Sequence, residues 1–286
     1  MLNNNKTATL SPSKTTLAYL GGSAIQTIVD NPLTSYRQLV QQYAKSASGA
    51  MVDPKIASAE ARAVFRASPI RASMSGVGPR LVGVGLKRVP KFVSLIGLSA
   101  GSEPGLLAAT GASIISAPFI NPIRMIEKQQ RVDLKSSGKV KPVLEILRES
   151  AADRFRPLFR GTVPLMGHSL ASATLGLVGQ PRLQKRIERD LSWLGGTAAN
   201  LLASAAVSPI YVAVTNPLTR LEVIMQTASI KGKPITVRAA LGELAKDAKS
   251  FGARGVLRGN GVGLIKAIVS LSLFHEGRLF CMRILA

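Results

Sequence analysis

Asn-Pro occurs three times in this chain, each time inside a long apolar segment. The copies are Asn31-Pro32-Leu33-Thr34-Ser35-Tyr36-Arg37, Asn121-Pro122-Ile123-Arg124-Met125-Ile126-Glu127 and Asn216-Pro217-Leu218-Thr219-Arg220-Leu221-Glu222. Proline removes an amide donor and bends a helix. Polar or charged groups follow two and five positions later, about one turn apart on one face. Gln41 and Gln226 stand nine positions after the first and third prolines, and Gln129, Gln130 and Arg131 lie around that point in the second copy. A compound pattern repeated at nearly equal spacing implies a chain built from three similar units.

Composition narrows the class. Charged residues make up only 18% of the 286, yet the formal net charge is +22 and the mean hydropathy is positive, at +0.22. A nucleic-acid binder carries its basic residues in stripes interleaved with aromatics, but aromatics are 5% here. An apolar chain with basic ends reads instead as a membrane protein whose field attracts anionic lipid and anionic solutes. The one cysteine, Cys281, excludes an intrachain disulfide and a cysteine-rich metal site. Residues Met1 to Lys6 are polar and match neither a secretory signal nor an arginine-rich transit peptide, so targeting is expected to be internal.

The apolar segments run from Thr15 to Pro32, Leu106 to Asn121 and Gly195 to Asn216, each with scattered Gly, Ala, Ser, Thr or Asn that permit close helix approach and suit a wall facing an aqueous cavity. A short amphipathic pattern follows each: Ile56 to Phe65, Pro142 to Ser150 and Pro234 to Lys249, with the two prolines suited to a first helical turn. The second apolar segment of each unit starts at a glycine turn: Leu158-Phe159-Arg160-Gly161, Val256-Leu257-Arg258-Gly259 and, more weakly, Met74-Ser75-Gly76. Free amides at a helix start beside an arginine suit a phosphate. The expected fold is an all-α membrane protein of six transmembrane helices in three pseudo-repeats, with short surface helices, closed into a three-fold pseudosymmetric barrel. A polar tail (1–14) precedes units at 15–103, 104–192 and 193–286.

Pro-x-Asp/Glu-x-x-Lys/Arg, three times at about this spacing, is the pattern of the mitochondrial carriers, which this sequence resembles over nearly its whole length. The resemblance implies a multi-pass protein of the inner mitochondrial membrane, a monomer that binds cardiolipin or another anionic lipid through Arg160, Gly161, Arg258 and Gly259. It also implies a closing gate at the bends, formed by Pro32, Thr34, Arg37, Gln41, Pro122, Arg124, Glu127, Pro217, Thr219, Glu222 and Gln226. Within it Thr34 is expected to face Glu127, Arg37 to face Thr219, and Arg124 to face Glu222 with the usual polarity reversed, while the glutamines brace from below. No unit carries the full acid-then-base pair. Such departures suit a remote branch, for example a bacterial effector that copies a host carrier and acts in the host mitochondrion.

Substrate contacts in carriers lie near the seventh residue after the glycine turn, which gives Gly83, His168 and Lys266, with Arg80, Lys87 and Ser169 beside them. Lys266 lies within Leu264-Ile265-Lys266-Ala267-Ile268-Val269, where an unpaired ammonium is costly and marks a ligand site. His168 reads equally as a helix-helix hydrogen-bond donor. One of Arg80, Lys87 and Arg88 is expected to face headgroups. With two histidines, no Walker loop and no carboxylate cluster, nothing reads as an enzyme, and no metal or cofactor is expected. The expected function is alternating-access transport of an anionic metabolite, foremost a nucleotide such as ATP or ADP, by exchange and by uniport. The alternatives are a carboxylate carrier and a non-transporting interaction or pore protein on the same fold.

Overall fold

The structure, a computed structural model, describes residues 12–43, 52–74, 76–81, 106–137 and 139–285. Gly83, Lys87 and Arg88 lie outside these. The described residues are almost all helical, with no strand among them. In chain order the helices are α1 (Pro12–Gln42), α2 (Pro54–Ala67), α3 (Pro69–Met74), α4 (Leu106–Ser137), α5 (Val143–Ala152), α6 (Thr162–Ala173), α7 (Gln180–Asp190), α8 (Gly196–Ile230), α9 (Val237–Phe251), α10 (Ala253–Val256) and α11 (Asn260–Leu285). A π-helical stretch, Thr174–Gly179, joins α6 to α7. Two of the helices are long and apolar enough to cross a membrane, over Leu106–Leu134 and Gly196–Ile230.

The three prolines do not end their helices. Pro32, Pro122 and Pro217 lie inside α1, α4 and α8. The two later amphipathic stretches start further along than expected. Pro142 is the residue before α5, with extended ψ, and Pro234 lies in the segment before α9, whose N-cap Thr236 accepts the Ala239 amide at 3.2 Å. A threonine side chain satisfies an orphan amide there, which a proline cannot do.

What positions these helices is the asparagine before each proline. Asn31 donates through its amide to the Ser73 carbonyl. Asn121 donates to the carbonyls of Leu158 and Arg160, both at 2.9 Å, and Asn216 to that of Val256 at 3.2 Å. Ser73, Leu158 and Val256 each stand three residues before a glycine with positive φ: Gly76 (74°), Gly161 (82°) and Gly259 (76°). The carbonyl of each glycine accepts the first helical bond, from Arg80 at 3.1 Å, Leu165 at 3.1 Å and Gly263 at 2.9 Å. These glycines have two reasons to be glycine. Positive φ is strained for other residues, and an added Cβ would meet Arg131 at 3.0 Å, Gln226 at 3.3 Å and Arg37 at 3.4 Å respectively.

Packing then follows the chain around. α1 lies along α11, α11 along α8, α8 along α6 and α7, and α6 along α4. Arg131 on α4 donates to Ser35 (3.4 Å) and Gln38 on α1. The first and last helices meet through small residues: a Cβ on Gly21 would collide with Cys281 Sγ, and one on Gly277 would fall 3.1 Å from the Gly22 Cα. Such approach gains dispersion contacts that larger residues would prevent.

The asparagine clamp is testable. Asn121→Ala strands the Leu158 carbonyl and leaves that of Arg160 with Gln226 alone, so it should lower stability by about 1–3 kcal/mol. Asn121→Asp, which keeps the acceptor but loses the donor, should be no better, as read by chemical unfolding in lipid nanodiscs.

Candidate functional site

Beyond the prolines, α1, α4 and α8 are held to one another by polar side chains that are almost all buried. Glu222 on α8 is fully buried and takes two cations from α4: Arg124 Nη1 at 2.9 Å and Lys128 Nζ at 2.8 Å. Between α1 and α8, Arg37 Nη2 donates to Asn216 Oδ1 at 2.6 Å and Gln41 Nε2 to the same oxygen at 3.2 Å. Gln226 donates to Asn121 Oδ1 at 2.9 Å and to the Arg160 carbonyl at 3.1 Å. The glutamines therefore hold the asparagine clamps rather than the charged ring.

Of the three facing pairs expected from the resemblance, Arg124 and Glu222 are in contact and the two threonine pairs are not formed. Thr34 donates to the Asp30 carbonyl at 3.0 Å and Thr219 to the Thr215 carbonyl at 2.9 Å, each one turn back on its own helix. A helical hydroxyl always has that carbonyl within reach, so crossing to another helix gains it nothing. Glu127 instead stands 3.6 Å from Arg131 and 3.9 Å from Arg80, and Arg37 goes to Asn216.

On the other side of this layer is a polar cavity of about 130 Å³ that includes Asp30, Arg80, Arg124, His168, Ser169, Tyr211 and Lys266 in its lining. An adjoining hollow of about 90 Å³ shares Lys266 and Tyr211 and adds Arg37 and Phe274. Arg80 is committed three ways, to Asp30 Oδ1 (2.9 Å), Asn31 Oδ1 (2.7 Å) and, more distantly, Glu127. The second Asp30 oxygen accepts from Ser270 at 2.7 Å. Lys266 has no hydrogen bond or ion pair among the described residues, although it faces both hollows. The His168 ring lies edge-on to Tyr211 with centroids 6.5 Å apart, and the Ser169 carbonyl accepts from Ser113 at 3.1 Å. Arg80, His168, Ser169 and Lys266 thus line one space, while Gly83 and Lys87 lie outside the described residues.

The two arginines expected to bind lipid differ from each other. Arg160 is exposed, beside Gly161 and in a cleft with Arg154 and Arg156. Arg258 is 1% exposed and donates to Asp247 Oδ1 at 2.9 Å, so as placed it cannot reach a headgroup. Asp247, itself fully buried on α9, also accepts from Arg220, and Arg220 donates to the Gly255 carbonyl at 2.8 Å. Burial made the difference: a buried guanidinium needs a carboxylate, and α9 supplies one.

Sequence reasoning passed over several of these residues. Lys128 could have been found as the residue one turn beyond Arg124. Asp30 is an acid in an apolar segment, which alone marks a functional position. Tyr211 carries no local signal. Neither a protein-family model nor a curated protein matches this chain.

Glu222→Gln leaves Arg124 and Lys128 without their carboxylate and should cost about 3–5 kcal/mol in unfolding experiments. Sequence alone suggests that exchanging the charges, Arg124→Glu with Glu222→Arg, restores the pair. The exchange sets the new arginine against Lys128, so the double variant should be no more stable than Glu222→Gln.

Proposed function

We propose that this protein is a transmembrane carrier of an anionic metabolite, working by alternating access on the mitochondrial carrier plan. That plan is six membrane helices in three pseudo-repeats around a three-fold axis. The architecture is supported by the asparagine clamp, which recurs three times with the same offset to a left-handed glycine. The observation that carries the functional reading is Lys266, an ammonium with no hydrogen bond or ion pair among the described residues, in a polar cavity closed on one side by a buried layer of charge. Asp30 lines the same cavity, but its oxygens are engaged by Arg80 and Ser270, and a cation without a bonded carboxylate is expensive there unless an anion joins it. An arriving anion neutralises Lys266 and reaches Arg80 and Arg124, which are already held by carboxylates. Competition for those arginines is the means by which binding would loosen the closed layer, since a ligand shifts an equilibrium only by its differential affinity for the two states.

The size of the cavity favours a small carboxylate over ATP or ADP. Sites for drug-sized ligands run to about 300–1,000 Å³, whereas the space beside Lys266 holds about 130 Å³, with about 90 Å³ adjoining. A nucleotide would require the cavity to widen first. On this reading the protein resides in the inner mitochondrial membrane as a monomer, with Arg160 and Gly161 at the lipid phosphate.

Lys266→Ala should abolish anion uptake into liposomes with the thermal midpoint preserved or raised, because the variant removes an unpaired charge. Uptake at the wild-type rate would place Lys266 outside the transport path. A thermal-shift panel of carboxylates and nucleotides separates the substrate readings, because a bound ligand raises the midpoint. Stabilisation by neither class, with no uptake, would favour a membrane interaction or pore protein.

A further inference from the structure

Where α1 and α8 end, a second hollow of about 280 Å³ opens, separate from the cavity around Lys266. Its walls are apolar: Val223, Ile224 and Ala228 from α8, and Ile235 from the segment before α9. Two polar features are left over inside it. Gln41 is 3% exposed and donates through its amide to Asn216, but its Oε1 has no partner among the described residues, and the Thr227 hydroxyl is likewise buried and unpartnered. At the mouth stand Lys231 and Lys233, both exposed, with no ion pair among the described residues. The other charges nearby are already committed: Arg220 to Asp247, and Glu243 to Lys246 at 3.5 Å.

We propose that this hollow binds an amphipathic monocarboxylate bearing a hydroxyl: apolar body against Val223, Ile224 and Ile235, hydroxyl donating to Gln41 Oε1, carboxylate between Lys231 and Lys233. The volume equals roughly nine waters at about 30 Å³ each, which suits an acid of about ten non-hydrogen atoms. An apolar wall draws the chain from water, and a buried acceptor without a donor favours the hydroxylated acid. The lysine pair selects anion over cation. Because the ends of α1 and α8 both line the hollow, and because Gln41 is itself part of the clamp on Asn216, an occupant that touches both favours the closed arrangement described above. In a carrier it acts as an inhibitor from the gate side.

The full-length protein in nanodiscs, titrated calorimetrically with 3-hydroxyoctanoate, octanoate and octylammonium, tests this. The hydroxy acid should bind most tightly, octanoate several-fold more weakly, and octylammonium not measurably. Lys231→Glu with Lys233→Glu should weaken binding about tenfold. Ala228→Phe, which fills the hollow, should abolish it while leaving the ligand-free thermal midpoint close to wild type. Lys266→Ala should bind as the wild type does, which separates this site from the transport cavity. Equal binding of acid and amine, no gain from the hydroxyl, indifference to Ala228→Phe or to the lysine reversals, loss in Lys266→Ala, or no binding at millimolar acid would each overturn the proposal.

Discussion

An asparagine amide reaching across to a backbone carbonyl holds this structure together. A proline inside a long helix costs a hydrogen bond and bends the backbone, so the direction in which the helix continues must be fixed by something else. Asn31, Asn121 and Asn216 supply it, each tying a long helix to a glycine turn that starts a later helical segment. The amide oxygen of each asparagine is then capped from elsewhere, by Arg80, by Gln226, and by Arg37 with Gln41. At Asn121 and Asn216 one short side chain thereby joins its own helix to a glycine turn and to a second long helix, whereas at Asn31 the cap comes from Arg80, just past the turn. Asp30, Arg80 and Arg124 belong both to the cavity lining and to the buried ion pairs, so the cavity and the charged layer share a boundary.

Those charges are distributed in a recurring proportion. Glu222 is shared by Arg124 and Lys128, Glu127 by Arg80 and Arg131, and Asp247 by Arg220 and Arg258. Burying ions is costly, and one carboxylate between two cations leaves positive charge uncompensated. Asp30 relieves part of it by holding Arg80 on its cavity side. The interior therefore remains attractive to anions, which is the local counterpart of the +22 formal charge of the whole chain. Charge of this kind steers association as well as binding.

The helix contact between α1 and α11 works on a different principle. Gly21, Gly22 and Gly277 let the two backbones approach closely where Cys281 packs, so segments far apart in sequence are joined by dispersion in addition to the Ser270–Asp30 hydrogen bond. At the level of α8 and α11 the link is polar again: Asn200 accepts from Gln180 at 2.6 Å and donates to Glu276 at 2.9 Å. Polar groups buried among helices rigidify when their partners are in place.

Sequence by itself determined the helical class, the three Asn-Pro positions, the glycine turns and the placing of Lys266 on an apolar helix. Each of these rests on spacing or on one residue's backbone chemistry, and both are local. It did not determine partners. Thr34 and Thr219 turn back to their own helices, Lys128 joins Arg124 on Glu222, and Arg258 is withdrawn from the surface by Asp247. The asparagines, legible as a pattern, became clamps only once the turns at Ser73, Leu158 and Val256 lay beside them. A periodicity says which residues share a face, but the partner of a buried polar group is decided by which faces meet, and that depends on packing across the whole chain.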